Sequence, residues 1–248
     1  MDGIIINLFN DGVLEMAENQ LISFKKTNIT NYIAYTTGEK SYQYLKNKGY
    51  NIKLYNIDKS IQNEMDWCSK DFIDMEKIRI KIINELLGEY KCVFYLDVDI
   101  VVTKNIEIFF NANMNGNDIF IQNDINMPCV GCILLFNSKN VKNLLNTLLK
   151  IEYKTNLQYE FSKLLKQLNL NCNLLPIELF PNGLVFFGND YIPNTNSNKF
   201  LLHQTQHIRK KTLENFKENK NFLIHANYMT GSDNKIKAFK DFNLWYLN

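Results

Sequence analysis

The sequence predicts an α/β fold in which helices cover both faces of a central sheet, and three observations predict it. The chain opens in β-α-β-α-β order, an alternation that calls for parallel strands joined by crossover helices. Apolar residues make up 46% of the chain and aromatic residues 13%, enough for a sizeable core and against disorder. The third observation is the run Val-Phe-Tyr-Leu-Asp-Val-Asp-Ile-Val-Val at 93–102. It reads as a buried central strand, yet it carries Asp97 and Asp99 near its middle.

The β-branched run at 4–8 makes a first strand, and Phe9-Asn10-Asp11-Gly12 the turn after it. Leu14, Ala17, Leu21 and Phe24 then recur at helical spacing. A second strand is predicted at 32–36, a helix at 41–48 that Gly49 ends, and a third strand at 52–55. The pattern at 72–87 places Ile78, Ile82 and Leu86 on one side of a helix that feeds the 93–102 strand. Strands at 119–122 and 132–136 bracket a turn at Pro128, and helices follow at 141–149 and 159–168. Pro181-Asn182-Gly183 is a turn, with a short strand expected at 184–187, a polar loop at 190–199 and a strand at 222–225.

At 248 residues the chain suits one large domain spanning 1–248. Its formal net charge of +2 leaves no electrostatic footprint for nucleic acid, and Arg209-Lys210-Lys211 reads as a solvated helix face. No segment approaches the roughly 18 to 20 apolar residues that a membrane span needs. No secretory signal is read at the start, and the five scattered cysteines suggest reduced thiols, so a cytoplasmic location is expected. Cys129-x-x-Cys132 has no second pair and is assigned to packing. Asn28-Ile29-Thr30 fits a glycosylation sequon that goes unused without export.

Two carboxylates one residue apart on a strand point the same way, and burying them together is costly unless a cation neutralises them. Mn²⁺ or Mg²⁺ suits such oxygen ligands. The carboxyl end of an α/β strand is also where these sheets bind ligands.

Around this pair the chain resembles the retaining GT-A glycosyltransferases, whose Rossmann-like mixed sheet is flanked by helices. The likeness is strongest to the nucleotide-diphospho-sugar transferase family that includes plant xylosyl- and arabinosyltransferases, with the glycogenin-like family a near relative. Its motifs stand in order: Lys77, Arg79 and Lys81 on a helix, Cys92-Val93-Phe94-Tyr95-Leu96-Asp97-Val98-Asp99, and Asn105-Ile106-Glu107-Ile108-Phe109-Phe110. Cys129-Val130-Gly131-Cys132, Leu179-Phe180-Pro181-Asn182-Gly183 and His225-Ala226-Asn227-Tyr228 with Gly231 and Lys235 follow. Two departures stand out. The family's Asp-Gln pair is Leu157-Gln158 here, and its Asn-Ser/Thr before the glycine is Cys129-Val130.

The resemblance implies that Asp97, Asp99 and His225 ligate Mn²⁺ (or Mg²⁺), which bridges the phosphates of a nucleotide-diphosphate sugar donor, while Gly231 and Lys235 meet the diphosphate. Arg79 would reach the phosphates or sugar. Phe9, Asn10 and Asp11, at the first strand's end, would border the base and ribose. Gln158 would stabilise the oxocarbenium ion, with Asp124 and Glu160 as alternative acceptor-orienting or nucleophilic groups. The implied reaction transfers a sugar, from UDP in the first instance, to a hydroxyl of a glycan or protein with retention. Two other readings compete: a non-catalytic nucleotide-sugar or carbohydrate-binding protein, and a sugar nucleotidyltransferase, whose basic Gly-rich loop Phe9-Asn10-Asp11-Gly12-Val13 lacks. His203 and His207, four apart, are read as surface or acceptor-side residues.

Overall fold

A computed structural model describes residues 2–56, 65, 68–113, 116–125, 127–152 and 156–247. In chain order the elements are β1 (Gly3–Phe9), α1 (Leu14–Lys26), β2 (Tyr32–Thr36), α2 (Glu39–Asn47), β3 (Ile52–Leu54), α3 (Lys70–Leu86), β4 (Cys92–Leu96) and β5 (Ile100–Val102). These are followed by α4 (Glu107–Asn113), β6 (Ile119–Asn123), β7 (Pro128–Phe136), α5 (Lys139–Lys150), α6 (Leu157–Gln167) and β8 (Cys172–Leu175). Last come α7 (Gly183–Phe187), α8 (Asn196–Gln204), α9 (Gln206–Lys217), β9 (Leu223–His225) and α10 (Ser232–Asp241).

Seven strands form one mixed sheet in the order β3-β2-β1-β4-β7-β6-β8, in which β7 alone runs against its neighbours. Side-chain alternation sorts the core onto the two faces. Ile4, Ile6, Val93 and Tyr95 pack with Ile78 and Ile82 of α3, Leu144 and Leu148 of α5 and Phe161 of α6. Ile5, Phe9, Phe94 and Leu96 pack on the other face with Ala17, Leu21 and Phe24 of α1, Leu45 of α2 and Phe110 of α4. Helix starts carry the residue types that accept orphan amides: Ser69 accepts from the Phe72 N–H, Ser138 from Val141 and Asn156 from Tyr159. Gly49, at φ +81°, ends the α2 segment as expected, a left-handed position that costs glycine little.

The run 93–102 is not one strand. β4 closes with the Asp97 N–H donating to the Gly131 carbonyl of β7 at 2.7 Å, and the Ile100 N–H donates back to the Asp97 carbonyl at 3.2 Å. Asp97, Val98 and Asp99 thus occupy a turn. β5 leaves the large sheet and pairs antiparallel with β9, Ile100 opposite His225. Apolar flanks alone do not reveal such a change of partner, because both strands are buried.

Other elements also differ. The strand expected at 184–187 is the helix α7: Asn182 accepts from the Val185 N–H at 3.0 Å, and its apolar residues are buried all round, a setting in which periodicity does not separate strand from helix. The loop expected at 190–199 gives way at Asn196 to α8, capped by Thr195. The turn near Pro128 precedes it, and Pro128 itself begins β7. β8 and α10 have no counterpart in the sequence reading: β8 is only four residues long and α10 is mostly polar.

Candidate active site

The β4–β5 turn and β9 meet at the carboxyl end of the parallel strands, and there the structure gathers three ligand-type side chains. One oxygen each of Asp97 and Asp99 and a ring nitrogen of His225 all lie within 4.8 Å of one another, and this is the one such group among the described residues. Asp99 and His225 are buried. The two carboxylates leave a turn rather than a strand, and His225 faces them because β9 pairs with β5 and the Ala226 N–H donates to the Asp99 carbonyl at 2.8 Å.

Each carboxylate has its own setting. Asp97 Oδ1 accepts from the Tyr95 hydroxyl at 2.7 Å and lies 3.4 Å from Arg79 Nη1. The Arg79 guanidinium is buried over the Tyr95 ring, 4.7 Å from its centroid, and lies 3.5 Å from Glu76. Burial disfavours the Arg79 charge, but Tyr95, Asp97 and Glu76 outweigh it and hold the group firmly cationic. Asp99 stands between an imidazole and an ammonium group, with Oδ1 3.2 Å from His225 Nε2 and Oδ2 2.8 Å from Lys235 Nζ. Burial works against its charge, yet Lys235 and His225 hold its carboxyl far below the usual carboxylate range. Burial likewise disfavours an imidazolium at His225, while Asp99, Asp97 and Asp124 raise its pKa above the ordinary value.

The donor set fits a hard divalent cation: two carboxylates plus one imidazole with no competing thiol in the group. The space beside it is made by Gly131. A Cβ there would stand 2.1 Å from Asp97 Oδ2 and 3.0 Å from His225 Cε1, so any side chain at this position displaces Asp97.

A second cluster adjoins the first. Asp124 is buried, and its Oδ1 accepts from Asn182 Nδ2 and Asn227 Nδ2, each at 3.0 Å. Gln158 also hydrogen-bonds to it. Burial raises the Asp124 pKa against the opposing effects of His225 and these three amides. The backbone here is strained: Ile125 and Tyr228 take φ of +66° and +67°, and for a β-branched residue such as Ile125 that is a true outlier. The Tyr228 hydroxyl donates to the Asp124 carbonyl at 3.2 Å, tying the two strained turns together.

The remaining predicted residues are placed as follows. Gly231, at φ +78° and open to solvent, precedes α10, on which Lys235 sits one turn later. Phe9 is in the core. Asn10 is buried and accepts from the Gly12 N–H. The Asp11 carboxylate accepts from the Ser41 N–H at 2.7 Å and so caps α2. Glu160 is buried on α6, 3.8 Å from Lys163, and it joins neither cluster among the described residues. Lys81 is exposed. His203 and His207 are exposed on two successive helices, not on one helix face. Cys129 and Cys132 are buried in β7 as packing residues.

The sequence reading passed over several residues that the site uses. Gln122 touches His225, Tyr95 holds Asp97, and Gln20 donates to the Asp97 carbonyl at 2.6 Å while accepting from Asn7. A polar group inside an apolar strand is the signal that Gln122 and Tyr95 share, as in Ile119-Phe120-Ile121-Gln122, whereas Gln20 follows Glu18 and Asn19 in a mixed helix that gives none.

A family model described as nucleotide-diphospho-sugar transferase matches residues 27–239. No curated protein sequence matches the chain. Among solved structures, the bifunctional glycosyltransferase WbbM is 14% identical with a TM-score of 0.57, and the match covers 97% of this chain and 50% of WbbM. The galactosyltransferase LgtC, solved with donor and acceptor sugar analogues, is 12% identical over 98% of this chain and 95% of its own, with a TM-score of 0.55. GlyE of Streptococcus pneumoniae TIGR4 is 14% identical over all of this chain and 60% of its own, with a TM-score of 0.58. The chain therefore spans about half of WbbM and under two thirds of GlyE. At these identities the likeness establishes the GT-A fold.

Replacing Gly131 by alanine is expected to leave the fold intact, because the clashing atom is the free end of the partly exposed Asp97 side chain. Binding of a divalent ion should fall by at least about tenfold as Asp97 is pushed aside. Calorimetric Mn²⁺ titration beside a melting curve checks this, and unchanged affinity would contradict the geometry.

Proposed function

Because the chain belongs to the nucleotide-diphospho-sugar transferase family, we propose that it is a metal-dependent glycosyltransferase that moves a sugar from a nucleoside diphosphate, UDP in the first instance, to a hydroxyl acceptor with retention. The observation that carries this reading is the meeting of Asp97, Asp99 and His225 from two distant segments. Held by these three side chains, Mn²⁺ or Mg²⁺ would supply Lewis-acid stabilisation of the departing diphosphate.

The chain's own residues do the rest. Lys235 neutralises Asp99 in the absence of other cations. Released from that pair, its ammonium stands ready for the β-phosphate beside Gly231, where an exposed backbone allows close approach of the anion. Arg79, fixed over Tyr95, brings a permanent positive charge to the same end of the sheet. Asp124, with Asn182 and Asn227 bonded to it, supplies an acceptor for sugar hydroxyls. Gln158 presents its side-chain carbonyl to the developing oxocarbenium ion. In a front-face reaction the acceptor oxygen bonds to the anomeric carbon as the bond to phosphate breaks, and the leaving phosphate oxygen takes the hydroxyl proton, so no protein base is required.

One observation favours a second reading, that of a nucleotide-sugar-binding protein without turnover. Where the family has an aspartate before the glutamine this chain has Leu157, which is packed in the core at 1% exposure. Calorimetry with UDP, with and without Mn²⁺, followed by a donor-hydrolysis assay separates the two. A transferase binds UDP more tightly with the ion and hydrolyses the donor slowly, whereas a binding protein does only the first. Asp99→Ala and His225→Ala should each abolish the metal-dependent part of UDP binding. Parental affinity in either variant sinks the ligand assignment.

Lys235→Ala is expected to act with opposite signs. It should tighten binding of Mn²⁺ alone by removing a competitor for Asp99. It should also weaken UDP more than UMP in the presence of the ion, by on the order of 1.5 to 3 kcal/mol for a charge-assisted contact. Equal losses for both nucleotides would place Lys235 away from the β-phosphate.

For Gln158→Ala, turnover should fall roughly 10- to 1000-fold, about 1.4 to 4 kcal/mol, with donor binding almost unchanged. Full activity with a lowered melting temperature would instead make Gln158 a support for Asp124.

A further inference from the structure

The orientation of His225 is dictated from behind. Its Nδ1 lies 2.7 Å from Oε1 of Gln122, a side chain with no solvent exposure. The amide nitrogen of Gln122 donates its two protons to the carbonyls of Phe180 and Pro181, each at 3.1 Å. With both donors committed, Gln122 offers only an acceptor to the imidazole. Nδ1 must then carry a proton, and Nε2, the nitrogen 3.2 Å from Asp99, is the one that would face a cation held with that carboxylate. The opposite amide orientation would set Oε1 against two carbonyl oxygens.

We infer that Gln122 is a positioning residue of the metal site, holding His225 as the tautomer and in the rotamer that ligate through Nε2; this rests on the metal-dependent reading of the site. The backbone is shaped for the task. The β6–β7 register shifts between Ile121, which pairs with Ile133, and Gln122, which pairs with Cys129. Such irregularities re-aim side chains beside active sites. The Pro181 carbonyl that orients Gln122 also accepts from the His225 backbone N–H at 3.3 Å, so backbone and ring of the ligand are referenced to one segment. Partners that fix a metal-binding histidine in this way change metal affinity when they are removed.

The test compares Gln122→Met, which keeps the volume and loses the acceptor, with Gln122→Glu, which keeps an acceptor oxygen for Nδ1–H. The probe is Mn²⁺ alone, titrated by calorimetry. Gln122→Met should weaken Mn²⁺ by about 10- to 100-fold, and Gln122→Glu should recover affinity to within a few-fold of the parent even though it loses both carbonyl contacts. If the two variants weaken the ion equally, in step with their melting temperatures, Gln122 is only a structural strut and the inference fails. A second readout does not depend on the ion or on the variants. The chain has three histidines, so the ¹⁵N spectrum of histidine-labelled parent reports directly whether His225 Nδ1 carries a proton. An Nδ1–H signal supports the assignment, and a ring with no proton on Nδ1 overturns it. A parent that binds no Mn²⁺ yet shows Nδ1–H would refute the metal reading while leaving the hold of Gln122 on the ring in place.

Discussion

Everything at the site depends on the departure of the chain from the main sheet at Asp97. The last rung of β4 is spent on the Gly131 carbonyl, and the next three ladder residues pair with β9 instead. That exchange of partners puts a turn with two carboxylates at the sheet's carboxyl end and sets His225 opposite Ile100. Had the strand continued straight, the acidic residues would have lain in a dry core, where their charge is costly. In the turn, Asp97 reaches solvent and Asp99 reaches Lys235 and His225.

The turn is secured by buried polar groups as much as by packing. Gln20 of α1 holds the Asp97 carbonyl and is itself held by Asn7 of β1. Ser23, one turn further on, accepts from the Val102 N–H at the end of β5. Asn19 on the same helix binds the Leu244 carbonyl and the Tyr246 N–H of the C-terminal segment. A single helix thus braces the acidic turn, β5 and the tail. Satisfied networks of this kind define one geometry, because each member left alone would be an unpaired polar group in a low-dielectric interior.

Charge is balanced around the site as tightly as hydrogen bonds are. Two carboxylates, one histidine, Arg79 and Lys235 share a small volume, with Glu76 behind Arg79 and Asp124 beyond His225. Neighbouring opposite charges keep Asp99 ionised despite burial. On the proposed reading, a bound cation would meet a preformed anionic group and take the place of Lys235 beside Asp99.

Much of this was legible in sequence because it is local. A continuous apolar run placed the strand at 93–102 without its break, helical spacing placed α1 and α3, and the acidic pair inside that run marked the candidate site. The family likeness, carried by ordered short motifs, added His225, Gly231, Lys235 and Gln158. Tertiary structure decided what local pattern does not encode. The apolar run at 184–187 is a helix because burial on all sides removes the periodicity that would have said so. Asp11 turns out to cap α2, and Gln122 turns out to hold His225. These roles are set by partners 30 and 103 residues away in sequence. A residue type announces which hydrogen bonds it is able to make; only the packed chain determines which partner is within reach.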